Sequence, residues 1–85
     1  MKIKDIRHLE NNKTRSDDRY PLRIGSTIEL LFPPAVDECM CMRYIFDRFG
    51  NPKTGFLVTS TVTGVAEMSN EIIVETLNSI YILEK

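Results

Sequence analysis

The sequence predicts a mainly β fold, a small barrel of five short strands preceded by an N-terminal leader. From Leu22 onward, apolar and polar residues alternate with a period of two, which is typical of strands with one buried face. The segment from Phe56 to Val65 is rich in valine and threonine, residues enriched in strands. Turn residues separate the alternating runs at short intervals. Together these observations predict strands at 22–32, 39–47, 56–65, 71–77 and 80–84.

The connections between these strands indicate which barrel to expect. Pro33 and Pro34 enforce a long loop after the first predicted strand, and residues 50–55 supply a turn after the second. Only residues 68–70 join the third strand to the fourth, whereas an OB barrel of this size usually carries a helix there. The spacing favours an SH3-like β-barrel over residues 22–85. An OB-like or other small barrel and an α+β meander are the alternatives.

Residues 1–21 form a basic leader whose structure the sequence leaves open. Ile3, Ile6 and Leu9 are three residues apart, which favours a short helix, although the segment from Ile3 to Ile6 also fits an extra edge strand. We favour the helix. Through Arg23 the chain has seven basic and four acidic residues, and beyond it four basic and eight acidic. This asymmetry predicts that the leader lies on the acidic body or recruits an anionic partner.

Length and composition narrow the class of protein. A chain of 85 residues predicts one domain. No apolar run approaches the ~18 residues that a membrane-spanning helix needs, and no signal peptide is recognisable, so we expect a cytoplasmic protein that does not bind a membrane. Cys39 and Cys41 would share one face of a strand, with their Cβ atoms ~7 Å apart. This is too far for a disulfide, which needs ~3.5–4.5 Å between Cβ atoms. We expect free thiols, and a redox role for the pair stays open.

The motif Cys39-Met40-Cys41-Met42 raises the possibility of a soft-metal site, since thiolates and thioethers both bind Cu(I) or Zn(II). Successive side chains of a strand point to opposite faces, so the four sulfur atoms would not meet at one ion. The only histidine, His8, lies in the leader. We therefore expect no metal and no other cofactor, with the methionines filling the core.

The sequence predicts no enzyme activity. Its serines share a single histidine, and none lies in a strand–turn–helix elbow. The acidic pairs Asp17-Asp18 and Asp37-Glu38 are adjacent residues, whose side chains diverge in an extended chain. The glycines do not form a loop that would cradle a phosphate.

We expect instead a protein-interaction module with an unknown partner. Such barrels commonly bind through the loops after the first and second strands, here Pro33–Glu38 and Asp47–Gly55. Alternation predicts that Tyr44 and Phe46 are core residues, whereas burial of Phe49 is not required by the pattern. The candidate binding residues are Arg48, Phe49, Asp37, Glu38 and Tyr81.

The alternative is a small nucleic-acid-binding barrel that uses the leader. Arg15, Arg19 and Arg23 would contact phosphates and Tyr20 would stack on a base. The acidic body and a sequence pI near 5.8 make this alternative the less favoured.

The last predicted strand is apolar on both faces, because Ile80, Tyr81, Ile82 and Leu83 follow one another without interruption. One face therefore needs a cover, either the leader or a second copy of the chain. We favour the leader, and we expect a monomer or a weak homodimer.

Two stretches, SDDRYPLRIGSTIEL (residues 16–30) and TLNSIYILEK (residues 76–85), carry a family resemblance. The chain resembles short uncharacterised proteins of Gram-positive bacteria, some of them carried on mobile elements. The resemblance implies an SH3-like small β fold in a cytoplasmic protein. It implies no activity and no catalytic residues.

Overall fold

Alternating burial builds a closed antiparallel barrel from consecutive strands. The computed structural model describes all 85 residues, and each strand pairs with the next while the last pairs with the first. The prediction of a mainly β fold and a small barrel is confirmed. The elements are β1 (Lys2–Arg7), α1 (Tyr20–Arg23), β2 (Thr27–Leu30), β3 (Cys39–Phe46), β4 (Phe56–Glu67), β5 (Glu71–Thr76) and β6 (Ile80–Glu84).

The barrel has six strands rather than five, because the leader contributes one. The preferred helix over Ile3–Leu9 is wrong and the strand alternative is correct: β1 pairs with β6 from Lys2 opposite Glu84 to Arg7 opposite Ile80. A register shift between Ile3 and Asp5 inserts one extra residue into β1. Both isoleucines therefore point into the core, fully buried, although they are three residues apart. A bulged strand thus reproduces the spacing of a helical turn.

The cover of the last strand comes from the chain itself, as expected. β6 lies between β1 and β5, and the two isoleucines of β1 join Tyr81 and Leu83 in the core. Residues 2–7 are therefore a wall of the barrel and not a leader outside it.

The first predicted strand, 22–32, is shorter than expected. Its beginning belongs to α1, where Pro21 occupies an early helical position that requires no N–H donor. Gly25 then turns the chain with φ of +90°, and its N–H donates to the Ile3 carbonyl at 2.7 Å. Only Thr27–Leu30 pairs with β3. With four residues, the only helix of the structure is far too short to span a membrane.

The core is made by the inward faces of β1 and β3–β6, with Ile28 from β2. Met40 and Met42 are fully buried, and Tyr20 and Ile24 pack against the core from the segment around α1. Phe46, expected in the core, is 40% exposed. A register shift between Thr27 and Ile28 at the end of the β2–β3 ladder interrupts the alternation just before Phe46.

β4 changes partner along its length. Its second half, from Val62 onward, pairs with β5, and its first half, Phe56–Thr61, pairs with β3. Opposite Met40 the register shifts from Val58 to Thr61, so that two residues of β4 face one residue of β3. This bulge bends β4 and lets one strand serve both sides of the barrel.

Gly25→Ala should destabilise the fold by about 1–3 kcal/mol, the usual cost of a side chain in a sparsely populated backbone region. The residue has φ of +90°, and an added Cβ would lie 3.1 Å from the Cβ of Arg48. Urea denaturation measures the difference. Gly64→Ala is the matched control, since Gly64 has no positive φ and its nearest atom would lie 3.9 Å away. Equal unfolding midpoints for the two variants would contradict the strain.

Candidate functional site

The segment between β1 and β2 crosses one end of the barrel. We call this end of the barrel the barrel mouth. Its first part is anchored by Arg15, whose main-chain N–H donates to the Ile6 carbonyl at 2.8 Å. The guanidinium donates to the Asn78 carbonyl at 2.7 Å and to the Ser79 hydroxyl at 2.8 Å, both in the link between β5 and β6. These bonds hold the segment over the barrel and bring α1 to the mouth.

All three tyrosines of the chain meet at the barrel mouth around Arg23. The Arg23 guanidinium lies 5.0 Å from the ring centroid of Tyr20. Burial raises the pKa of Tyr44 and that of Tyr81, and the charge of Arg23 opposes both rises. The arginine thus lies next to two buried phenols and a half-buried one. Tyr81 itself is 3% exposed and belongs to the core, so it presents no aromatic surface to a partner.

The loop after β3 presents Phe49 to solvent in a fixed conformation. One carboxylate oxygen of Asp47 accepts from the N–H of Phe49 and from that of Asn51, both at 2.9 Å. The bond from Asn51 is the leading cause that lowers the pKa of Asp47. The Arg48 guanidinium lies 4.7 Å from the Phe49 ring centroid and donates to the Pro21 carbonyl at 3.3 Å. The Phe49 side chain is 73% exposed, as the sequence allowed, beside a cation that ties the loop to α1.

A cavity of about 290 Å³ separates α1 from the start of β4. Lys53 and Tyr44 both line it, with the Nζ atom of Lys53 4.0 Å from the Tyr44 ring centroid. Leu22 and Phe56 are mostly exposed. The lining contains three cations and no acidic residue: Arg19, Leu22, Arg23, Tyr44, Lys53, Phe56 and Leu57.

Phe49 and this cavity are joined by α1, since Arg48 contacts Pro21 and the next residue, Leu22, lines the cavity. We call the combined region the basic-aromatic surface. It comprises Arg19, Leu22, Arg23, Arg48, Phe49, Lys53 and Phe56. Sequence reasoning missed Leu22, Lys53 and Phe56, because it placed Leu22 and Phe56 in strands and singled out only Arg48 and Phe49 in the predicted binding loop Asp47–Gly55.

The two predicted binding loops do not come together. Asp37 and Glu38 lie at the start of β3, where their main chains pair with Val62. Arg48 and Phe49 lie beyond its other end. An eight-residue strand separates them by about 23 Å. The candidate set is therefore split between the two ends of β3, with Tyr81 inside the barrel.

The residues of the nucleic-acid alternative do come together, but in an arrangement that occupies the aromatic ring. Arg15 lies 4.1 Å and Arg23 5.0 Å from the ring centroid of Tyr20. The ring is half-buried, packs against the core and already stacks with two guanidinium groups. Arg15 is also paired with Asp17 at 2.7 Å. Tyr20 is thus a structural residue of the mouth, and Arg19 is the exposed cation of the set.

The alternation of sulfur residues in β3 is confirmed. Met40 and Met42 are fully buried, whereas Cys39 is exposed and Cys41 half-buried, and both cysteines are free thiols. The thioethers therefore lie inside the barrel and the thiols on its outer face.

The Arg15–Asp17 pair gives a pH-dependent prediction. Hydrogen bonding by Arg15 lowers the pKa of Asp17 from 3.8 to about 2. Because the pKa is lower in the folded protein, the carboxylate stabilises the fold above pH 3.8, and this contribution disappears as the pH falls through about 2. A carboxyl ¹³C NMR titration should show a midpoint near 2 that rises towards 3.8 in Arg15→Gln. Arg43→Gln, which breaks only the exposed pair with Glu29, is the control. A midpoint insensitive to Arg15→Gln would contradict the pairing.

Comparisons of the chain with protein-family models, with curated proteins and with solved structures found no match. The resemblance to short proteins of Gram-positive bacteria and their mobile elements therefore stays a prediction. A functional conclusion has to come from the geometry of the basic-aromatic surface.

Proposed function

We propose that the protein is a non-catalytic protein-interaction module that contacts its partner through the basic-aromatic surface. The observation that carries this proposal is the 73% exposure of Phe49 beside the guanidinium of Arg48. Phe56 and Leu22 on the same surface are also mostly exposed, and burial of such an apolar patch on binding stabilises a complex.

The residue types on this surface are those enriched in protein interfaces. Aromatic side chains and arginine are over-represented there, and a few of them usually provide most of the binding free energy. Phe49 and Phe56 are the exposed aromatic candidates, with Arg19 and Arg48 beside them. The hydrogen bonds of Asp47 hold the Phe49 loop in place before binding, which reduces the entropy lost on association.

The proposal keeps one of the two expected loops. Asp47–Gly55 forms part of the surface, and α1 replaces Pro33–Glu38 as its second element. Val36 in the latter loop and Leu31 and Phe32 just before it are also exposed, but they lie near the opposite end of β3 from Phe49.

A second candidate function is binding of single-stranded nucleic acid at the same surface. It is favoured by the collection of Arg19, Arg23 and Lys53 around a cavity without an acidic residue. Phe49 and Phe56, rather than Tyr20, would then be the stacking residues, because both Arg15 and Arg23 already contact the Tyr20 ring.

Phe49→Ala should change the free energy of unfolding by less than about 0.5 kcal/mol, since the side chain is mostly exposed. Its capture of partners from the native cell's lysate should fall at least about tenfold, as expected for an interface anchor. Quantitative pull-down with the immobilised full chain measures this. Met68→Ala is the control, because Met68 is 50% exposed in the β4–β5 hairpin. If Phe49→Ala captures as much as the parent chain, Phe49 is no anchor.

Nucleic-acid binding would give affinity that falls steeply between about 50 and about 200 mM salt. Fluorescence anisotropy with a labelled mixed-sequence single strand should then show weaker binding by Arg19→Glu. Lys85→Glu, a charge reversal beside Glu67 at the β4–β5 hairpin, should have little effect. The second candidate fails if the parent chain shows no salt-sensitive binding at the lower concentration.

A further inference from the structure

The first half of β4 has a free edge. β5 pairs with β4 from Val62 onward, and the N–H of Leu77 donates to the Thr61 carbonyl at 3.0 Å. Residues 56–60 therefore have β3 on one side and no strand on the other. Other segments also have a strand on one side only, among them the second half of β4, where Gly64–Glu67 pairs with β5 alone.

The ladder between β3 and β4 shows which backbone groups this edge offers. The N–H of Tyr44 donates to the Gly55 carbonyl at 3.0 Å, and Met42 lies opposite Leu57. In an antiparallel ladder, hydrogen-bonded pairs alternate with pairs whose polar groups point away. The N–H and C=O groups of Phe56 and Val58 therefore point away from β3, toward the open side.

The side chains of this edge do not protect it against pairing. Exposed edge strands commonly carry lysine or proline. Here the exposed side chains along the edge are apolar, Phe56 at 65% and Val58 at 59%. The bulge after Val58 limits the accessible edge to a short segment without covering it.

The surroundings of the edge determine which strand would fit. The cavity at its start is lined by Arg19, Arg23 and Lys53, and no acidic residue lines it. A basic strand would meet like charge there. An extended chain with carboxylates on one face would place them against these cations while its backbone pairs with β4.

We propose that an acidic peptide segment of the partner binds in extended conformation and adds a strand to the free edge of β4 at Phe56–Val58. This inference rests on the proposed function and specifies the chemistry of the partner. The backbone groups of Phe56 and Val58 supply affinity, and Arg19, Arg23 and Lys53 select for acidic side chains.

The test uses the ¹⁵N-labelled full chain and an eight-residue peptide of alternating valine and glutamate, titrated to about 1 mM, where even weak complexes form. Bound peptide should slow hydrogen exchange of the Phe56 and Val58 amides. A peptide with alternating N-methyl groups cannot form the ladder, and it should bind at least about tenfold more weakly. Lysine in place of glutamate should also abolish binding.

Two variants of the protein separate backbone pairing from side-chain contact. Val58→Pro removes the edge N–H, and proline is tolerated at an edge position whose N–H is unpaired. Val58→Thr keeps the N–H and the strand propensity. Peptide affinity should fall about tenfold in the first and stay within about twofold in the second. Unfolding midpoints of both variants show that the fold is retained.

Each other outcome overturns the proposal. Absence of an effect on the Phe56 and Val58 amides at the highest peptide concentration excludes the added strand. Concentration-dependent shifts of these amides in the peptide-free protein assign the edge to a second copy of the chain. Protection by a single-stranded oligonucleotide alone assigns the cavity to nucleic acid. Equal binding of the N-methylated peptide shows that only side chains contact the peptide, and this result leaves the proposed function intact. The proposed function has its own test, since it is contradicted if Phe49→Ala captures as much partner as the parent chain.

Discussion

The pairing of β1 with β6 is the interaction on which the barrel depends. It joins residues 2–7 to residues 80–84, the two ends of the chain, and so turns a meander into a closed sheet. A pairing between chain ends carries a high loop-closure cost, which the burial of Ile3 and Ile6 offsets. The one-residue bulge in β1 makes this possible, because without it only one of the two isoleucines would face the core.

Closure of the barrel also positions the candidate surface. Since β1 ends at the barrel mouth and β2 begins beside Lys2, the intervening chain has to cross the mouth. Arg15 holds this crossing to the β5–β6 link, and Tyr20 packs against the core. The cations that the crossing carries are therefore gathered on one surface of a chain with a net charge of −1. An overall pI says little about such local segregation.

Alternation was sufficient to predict most strands and the division of the sulfur residues between core and surface. It failed where an extra residue enters a ladder, at Lys4 in β1 and before Phe46 at the end of β3, since a bulge reverses the face of the residues that follow. The exposed position of Phe49 could be foreseen from its place after the strand. The contributions of Leu22, Lys53 and Phe56 could not, because they depend on how α1 packs beside β4, a long-range contact with no local pattern.

The free edge of β4 follows from the bulge after Val58, where β4 changes its partner from β3 to β5. A strand of 12 residues that pairs with β3 first and β5 later leaves one side of its first half unpaired. β5 does not cover this edge, because the chain leaves β4 after Leu77 and begins β6, the strand that pairs with β1. α1 is nearest to the opening, yet its side chains leave a cavity there instead of filling it. The edge is thus a consequence of the topology, and its apolar side chains and cationic surroundings are the features that a binding role explains.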